Sequence, residues 1–371
     1  MNQTIVSYLS QYEFYDTLIK LFGGNQGLLA FAIYLVVALI IVGFCATVGG
    51  FGTYAERKIS ADLQQRIGPN RVGPYGLLQV LADGVKMMTK EDVMPFTADK
   101  FLFYLAPLLA LVGVFATLAV LPWSSGFIMA DLNVGIFYLV AISSLVGVGV
   151  FLGGYASNSK WSMLGGMRGA SQIISYEIPV TISILAIVTL AGGMSFGTIL
   201  SGQGGLPHQW FVLHNPFSFI AFFIYFVGAL AETNRAPFDL PEAESELVSG
   251  YHTEYTGMRF GFFALAEYIE VFVVCGVAAA LFLGGSNLPM VKIDVLPVQI
   301  AGTIVFITKT LLLYYVVIWV RWTLPRLRVD QLMSVCWKYL TPIAIFNLCG
   351  VAIWMVVFNG RSLADLILGS H

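Results

Sequence analysis

Five ionisable side chains interrupt runs of otherwise apolar residues: Glu177 in SYEIP, Glu232 before TNRAPFD, Glu267 and Glu270 in AEYIE, and Lys309 in TKT. A charge inside a bilayer costs at least a few kcal/mol, so such groups are paired, water-lined or functional. Desolvation also brings acids and bases toward the range where protons exchange near neutral pH. A file of these groups, joined by water, could hand protons along. The other account is structural: an ion pair, for example Lys309 with one of the glutamates, or a glutamate kept protonated in a helix contact. Glu270 is the weakest member, one turn from Glu267 and readable as only its neighbour's partner.

The stretch ETNRAPFDLPEAESELVSGYHTEYTGMR holds six carboxylates, Glu232, Asp239, Glu242, Glu244, Glu246 and Glu254, against two arginines. Crowded carboxylates repel, so some should titrate high or respond to a nearby change of charge, which is the chemistry of a switch. A solvated acidic loop or a docking surface for a basic partner would also account for it. The histidines add nothing: His208, His214 and His371 fall in outer loops or at the terminus, and His252 is alone in the acidic loop, so no metal is expected. Cys45, Cys275, Cys336 and Cys349 have neither CxxC nor Cys/His spacing and read as packing residues. Without a Walker A loop or a GxGxxG after a soluble strand, nucleotide binding has no support, and any redox cofactor must sit elsewhere.

The elements that must carry these groups are membrane helices. Of 371 residues, 58% are hydrophobic and 11% charged, against roughly 25% charged in a soluble domain, and mean hydropathy is +0.81. Apolar runs predict about eight transmembrane helices in an all-α membrane protein, with spans near 28–54, 101–122, 134–156, 172–193, 216–232, 261–284, 297–320 and 340–359. Residues 1–27 lack the features of a secretory signal and are expected to be an extramembrane segment, 28–360 a single helical domain, and 361–371 a tail. Fifteen of the nineteen Lys and Arg residues fall in the loops after helices 1, 3, 5 and 7. Both termini are therefore expected away from the cytoplasm. Net charge of -2 suggests no nucleic acid.

In the first cytoplasmic loop, Tyr75, Leu78, Ala82, Val85 and Met88 recur at steps of three and four and predict an interfacial amphipathic helix, apolar face to the membrane. Such a helix could cap the bundle or form a lip over a lipid-accessible cavity.

Six stretches carry a resemblance to a known family: AERK at 55–58, RIGPNRVGPYGLLQVLADGVKMMTKE at 66–91, ASNSKWSMLGGMRGASQIISYE at 156–177, AETNRAPFDLPEAESELVSG at 231–250, ALAEY at 264–268 and TKTLLLYYVVIWVRWTLPRLRVDQLM at 308–333. Over residues 28 to 358 they resemble the H-subunit family of respiratory complex I, the proton-pumping NADH-quinone oxidoreductase, in which this is also called the first mitochondrially encoded subunit. The resemblance implies a subunit without a redox centre, standing where the membrane arm meets the peripheral arm and forming much of the tunnel by which quinone, ubiquinone or menaquinone, reaches the terminal iron-sulfur cluster. FMN and the iron-sulfur clusters would belong to partner subunits. The other expected partners are small membrane subunits, antiporter-like subunits and lipids.

By motif match the resemblance puts Glu56, Arg57, Arg66, Asp83, Asp239, Glu242 and Glu244 at the quinone tunnel and its coupling groups. It puts Glu177, Glu232, Glu254, Glu267 and Lys309 on a proton path. Glu270 is not carried over. The long 1–27 segment and outer loop 194–215 favour a bacterial plasma membrane over a mitochondrion. Two other readings stand beside this one: the homologous membrane component of a hydrogenase-type or other quinone-linked complex, and an autonomous ion transporter, which the absence of an internal repeat opposes.

Overall fold

The computed structural model describes residues 25–124, 126–242, 244–288, 296–358 and 362–363, with the side chains of 244, 245 and 296 left outside the description. Most of the expected 1–27 segment and of the 361–371 tail therefore lies outside the described residues.

Among the described residues the regular structure is helical. The helices used below are α1 (Gln26–Leu63), α2 (Gln79–Thr89), α3 (Lys100–Leu118), α4 (Gly135–Ala156), α5 (Lys160–Ala191), α6 (Phe196–Ser201), α7 (Pro216–Glu232), α8 (Gly257–Phe282), α9 (Leu296–Thr323) and α10 (Val329–Val357). Seven of them are long and apolar enough to cross a bilayer. The eighth apolar helix, α7, has 17 residues, about 25 Å at 1.5 Å per residue and slightly under the hydrocarbon thickness.

Burial ranks the helices. In α8, 78% of the most apolar window is inside the bundle, whereas in α1 the share is 11%. α8 is therefore the central post, and α1 presents Phe31, Leu39 and Ile40 outward as an exposed apolar face. Placing Glu267 and Glu270 on the most enclosed helix is the arrangement that most needs explaining.

Local chemistry sets the helix ends. Asp99 caps α3 by accepting from the amides of Phe101 and Leu102. Asn215 and Ser218 form a reciprocal cap at the start of α7, with Pro216 in the first turn, and Gly192 closes α5 at φ 71°.

Three helices overrun their expected spans. α1 continues to Leu63, α5 begins at Lys160 instead of 172, and α10 begins at Val329 instead of 340. Hydropathy sees apolar runs and is blind to a helix that continues into polar and small residues. In α5 those small residues are contact points. A Cβ on Gly165 would meet the amide nitrogen of Tyr251 at 2.7 Å, and one on Gly166 would meet Cα of Gly154 at 3.1 Å. This polar extension is the bench on which the acidic loop sits. A π turn at Val335–Leu340 widens α10 where Cys336 Sγ donates to the Ser175 carbonyl and the Tyr176 hydroxyl donates to the Leu332 carbonyl, tying α10 to α5.

The amphipathic helix of the first loop starts four residues later than its apolar pattern. Tyr75 sits in a 3-10 turn at φ 54° and Leu78 is the cap of α2. Leu78, Leu81, Val85 and Met88 are exposed on it. The helix is held by an ion pair from Arg57 on α1 to Asp83 at 2.6 Å, with Lys86 at 3.7 Å and Gln79 donating to the same carboxylate at 3.1 Å.

Candidate functional site

The site begins at the connection after α7. Gln172, buried on α5, donates its amide to the carbonyls of Ala231 and Phe238, both at 2.7 Å. One side chain thus pins both ends of the turn TNRAPFD and aims Arg235 into the bundle. Arg235 is 3% exposed. Its Nη1 donates to Glu56 on α1 at 2.7 Å, its Nε stands 2.8 Å from Glu267 on α8, and its guanidinium stacks 4.3 Å above the Tyr268 ring. The Nε contact is an ion pair without hydrogen-bond alignment. Arg321 of α9 reaches the other oxygen of Glu56 at 2.6 Å. Two arginines and two carboxylates from four parts of the chain thus form one buried cluster, in which each charge answers another.

Around this cluster lies the acidic loop. Asp239 is held by Arg326 at 2.7 Å. Glu242 lies 3.4 Å from the Tyr251 hydroxyl and 3.4 Å from Nδ1 of His252. Burial pushes the Glu242 carboxyl well above the usual carboxylate range; the charges of Glu267 and Asp239 add to this, and Arg235 and the Tyr251 hydroxyl oppose it. Burial alone pushes His252 down to about 4, so near neutral pH it is an uncharged imidazole beside Glu242. The fold of this loop depends on Gly250, at φ 61°, where a Cβ would collide with the Pro241 carbonyl oxygen.

Beyond the cluster, between α3, α4, α5, α7 and α8, lies a small cavity of about 30 Å³. Glu177, Glu232 and Glu270 line it together with Thr117, Ser143, Thr181 and Tyr225 among otherwise aliphatic walls. The hydroxyls of Thr117, Ser143 and Thr181 donate to carbonyls in their own helices, and that of Tyr225 donates to the Val274 carbonyl, which leaves oxygen lone pairs toward the space. No hydrogen bond or ion pair reaches the carboxylates of Glu177, Glu232 or Glu270 among the described residues.

The residues singled out in the sequence divide accordingly. Glu56 and Glu267 meet on Arg235, with Asp239 and Glu242 of the loop near enough to act electrostatically on Glu267, while Glu177 and Glu232 share the cavity. Arg57 and Asp83 pair with each other at the α1–α2 junction, where burial raises the Asp83 carboxyl but hydrogen bonds and charge from Arg57, Gln79 and Lys86 outweigh it and leave it below the usual range. Arg66 is exposed and donates to Gln64. Glu254 is half-buried in the turn before α8. Glu244 opens the helical turn Glu244–Leu247, and its side chain lies outside the description.

Lys309 stands apart from the carboxylates. It donates to the carbonyls of Leu283 at 2.7 Å and Gly285 at 2.9 Å, at the C-terminal end of α8, with the Trp210 ring 4.6 Å away. Three residues outside the expected set prove central: Arg235, Arg321 and Glu270. The first two stand at the ends of apolar runs, where cations are ordinary. Glu270 did show itself as a charge in a span, but as a dependant of Glu267, whereas it faces the cavity. His252, the one histidine of the acidic loop, stands beside Glu242.

No group of three or more His, Cys, Asp or Glu that could hold a metal occurs among the described residues.

Residues 35–352 match the family model described as NADH dehydrogenase. The chain is similar to the H subunit of the NADH-quinone oxidoreductase of Anaeromyxobacter dehalogenans, 47% identical over 87% of this chain and 82% of the relative. It is also similar to that of Chlorobaculum tepidum, 46% identical over 90% of this chain and 95% of the relative, and to that of Bacteroides fragilis, 46% identical over 90% and 94%. With the match spanning most of the chain and nearly all of the helical bundle, this chain belongs to the H-subunit family of NADH-quinone oxidoreductase, the complex I family.

Proposed function

We propose that this subunit forms much of the quinone tunnel of its complex and converts quinone reduction into proton movement through the acidic loop and the buried glutamates. The observation that carries the proposal is the continuity of the ionisable groups. Asp239 and Glu242 in the loop act electrostatically on Glu267, Glu267 and Glu56 share Arg235, and one helical turn along α8 from Glu267 stands Glu270, which lines the cavity with Glu177 and Glu232.

Two-electron reduction of a quinone consumes two protons and passes through negatively charged states. In a site of low dielectric a new charge acts strongly on its neighbours. Asp239, Glu242 and Glu244 in the loop, with Glu56, Arg57, Arg66 and Asp83 on α1 and its following loop, would feel that charge first. Glu267, Glu254, Glu232, Glu177 and Lys309 would carry the consequence inward. The exposed apolar face of α2 supports its role as a lip past which quinone leaves the lipid.

The electrons belong to partner subunits bearing FMN and iron-sulfur clusters, and the protons pass on to small membrane subunits and antiporter-like subunits. The membrane is a bacterial plasma membrane with both termini periplasmic. The relatives named above are all quinone oxidoreductase subunits, which supports this reading over a hydrogenase-type complex or an autonomous transporter.

The test uses the assembled complex in membrane vesicles. In Asp239→Asn and Glu177→Gln variants, proton pumping per NADH oxidised should fall while NADH oxidation by ferricyanide, which needs no quinone, is kept. Variants that assemble and pump at the normal ratio would refute the proposal.

A further inference from the structure

We infer that Glu270 is a proton-carrying residue of this chain, the step between the arginine-bound cluster and the carboxylate cavity; the inference rests on the proton-path reading above. Position is the first argument. Glu267 and Glu270 are three residues apart on α8, so they lie on adjacent faces one turn apart, with Cβ atoms about 5–6 Å from each other. Glu267 faces Arg235. Glu270 faces the cavity, sharing it with Glu177 of α5 and Glu232 of α7. α8 therefore turns one carboxylate to each chamber, and a proton crossing between them has a single helical turn to cover.

Burial is the second argument. Glu270 is 8% exposed and has no hydrogen bond or ion pair among the described residues. Its electrostatic neighbours are Glu267 on its own helix, Glu232 on α7, Tyr251 in the acidic loop and, from the connection after α7, Arg235 as the opposing cation. A structural carboxylate in such a place would be expected to hold a partner, since an unpartnered buried polar group is costly. What Glu270 has instead is space. A cavity of about 30 Å³, edged by three carboxylates and four hydroxyls among aliphatic walls, has room for a water or two and polar partners to hold them. In the step, the Glu270 carboxylic acid releases its proton to a cavity water on the side of Glu232 and takes one from the side of Glu267. Only O–H bonds are made and broken, and the charge on Glu270 is restored at the end.

The decisive comparison is E270Q and E270D with Glu177→Gln, each in the whole complex in inverted vesicles, with ferricyanide-linked NADH oxidation reporting assembly. Glutamine keeps the shape and removes the exchangeable proton. E270Q should lower coupled NADH:quinone turnover and proton pumping by about tenfold or more at an unchanged ferricyanide rate, and E270D should restore a large part of both. An assembled E270Q complex with wild-type pumping, alongside a Glu177→Gln complex that has lost it, overturns the role of Glu270 and leaves the path intact. Wild-type pumping in both overturns the path itself and the inference with it. Should E270Q fail to assemble, E270D decides: a displaced pH profile of coupled turnover supports proton carriage, and a profile superimposable on wild type overturns it.

Discussion

Replacing Arg235 by methionine removes the cation shared by Glu56 and Glu267 while keeping a long apolar stem in the same space. The two carboxylates do not suffer equally. Glu56 retains Arg321 at 2.6 Å. Glu267, whose side chain is 15% exposed, loses the cation 2.8 Å away and becomes a buried carboxylate facing Glu56, Glu242 and Glu270. Removing one partner of a buried pair costs about 3–5 kcal/mol, because the remaining charge is left without compensation. For a chain of this size each kcal/mol moves a thermal midpoint by about 2 °C, so inactivation of quinone reductase in membranes should come about 6–10 °C earlier in Arg235→Met. The double variant Arg235→Met/Glu267→Gln should recover at least half of that loss, because the orphaned charge is gone, and the single Glu267→Gln should cost less than Arg235→Met. This is a double-mutant cycle on residues in contact, where strong non-additivity is expected. The assay is residual NADH:quinone activity after timed heating, normalised to ferricyanide activity. A single variant as heat-stable as wild type, or a double variant no better than the single, would refute the reading of the cluster as a mutually dependent set of charges.

Three further outcomes concern the acidic loop. With its carboxyl raised well above the usual range, Glu242 should take up its proton at a higher pH than an exposed carboxyl, so a carboxyl infrared band that appears early when the wild-type complex is acidified should be missing in Glu242→Gln; identical titrations would contradict this. His252 is held near 4 when folded against about 6.5 in an unfolded chain. The unfolded state then binds the extra proton between those values, stability rises with pH through that window, and His252→Gln should flatten the loss of heat stability seen on acidification from pH 6.5 to 4. Gly250→Ala should lower assembly severely, since φ 61° disfavours a side chain by about 1–2 kcal/mol and the new Cβ meets the Pro241 carbonyl. Gly84→Ala on α2, with nothing within 4 Å of the added carbon, should not lower assembly.

The membrane bundle and half of the site were legible because hydropathy and charge are one-dimensional signals. Glu177, Glu232 and Glu267 stand out as charges within apolar runs, and folding does bring them into neighbouring chambers. The same test finds Lys309, yet folding gives it carbonyl oxygens at the end of α8 instead of a carboxylate. A charge in a run announces burial but is silent about its partner. Arg235 shows the reverse limit. Nothing local marks it, since its importance comes from Glu56, 179 residues earlier in the chain, and from a turn whose direction is set by the Gln172 amide. The polar start of α5 escaped for a third reason. Its glycines and serines look like a loop by composition but are the close contacts that let the acidic loop lie flat on the helix.

The distribution of cations sets a direction. Toward the loop, the carboxylates of Glu56, Glu267, Asp239 and Glu246 each have an arginine within 2.8 Å. Toward the cavity, Glu177, Glu232 and Glu270 have none among the described residues. A charge-balanced region resists titration, because gaining a proton means giving up a salt bridge. An uncompensated carboxylate set exchanges protons with water more readily, and its members feel one another. At an effective dielectric of about 20, one unit of charge at about 6–8 Å changes the free energy of holding a proton by about 2–3 kcal/mol, close to a hundredfold in the equilibrium. A charge appearing near the loop would therefore first redistribute among its arginines, and the net imbalance would be met where no arginine waits, in the cavity. On the proposed path Arg235 is the pivotal cation, because its guanidinium contacts both Glu56 and Glu267. Any displacement of it toward a new anion would leave Glu267 without its cation, one helical turn from Glu270.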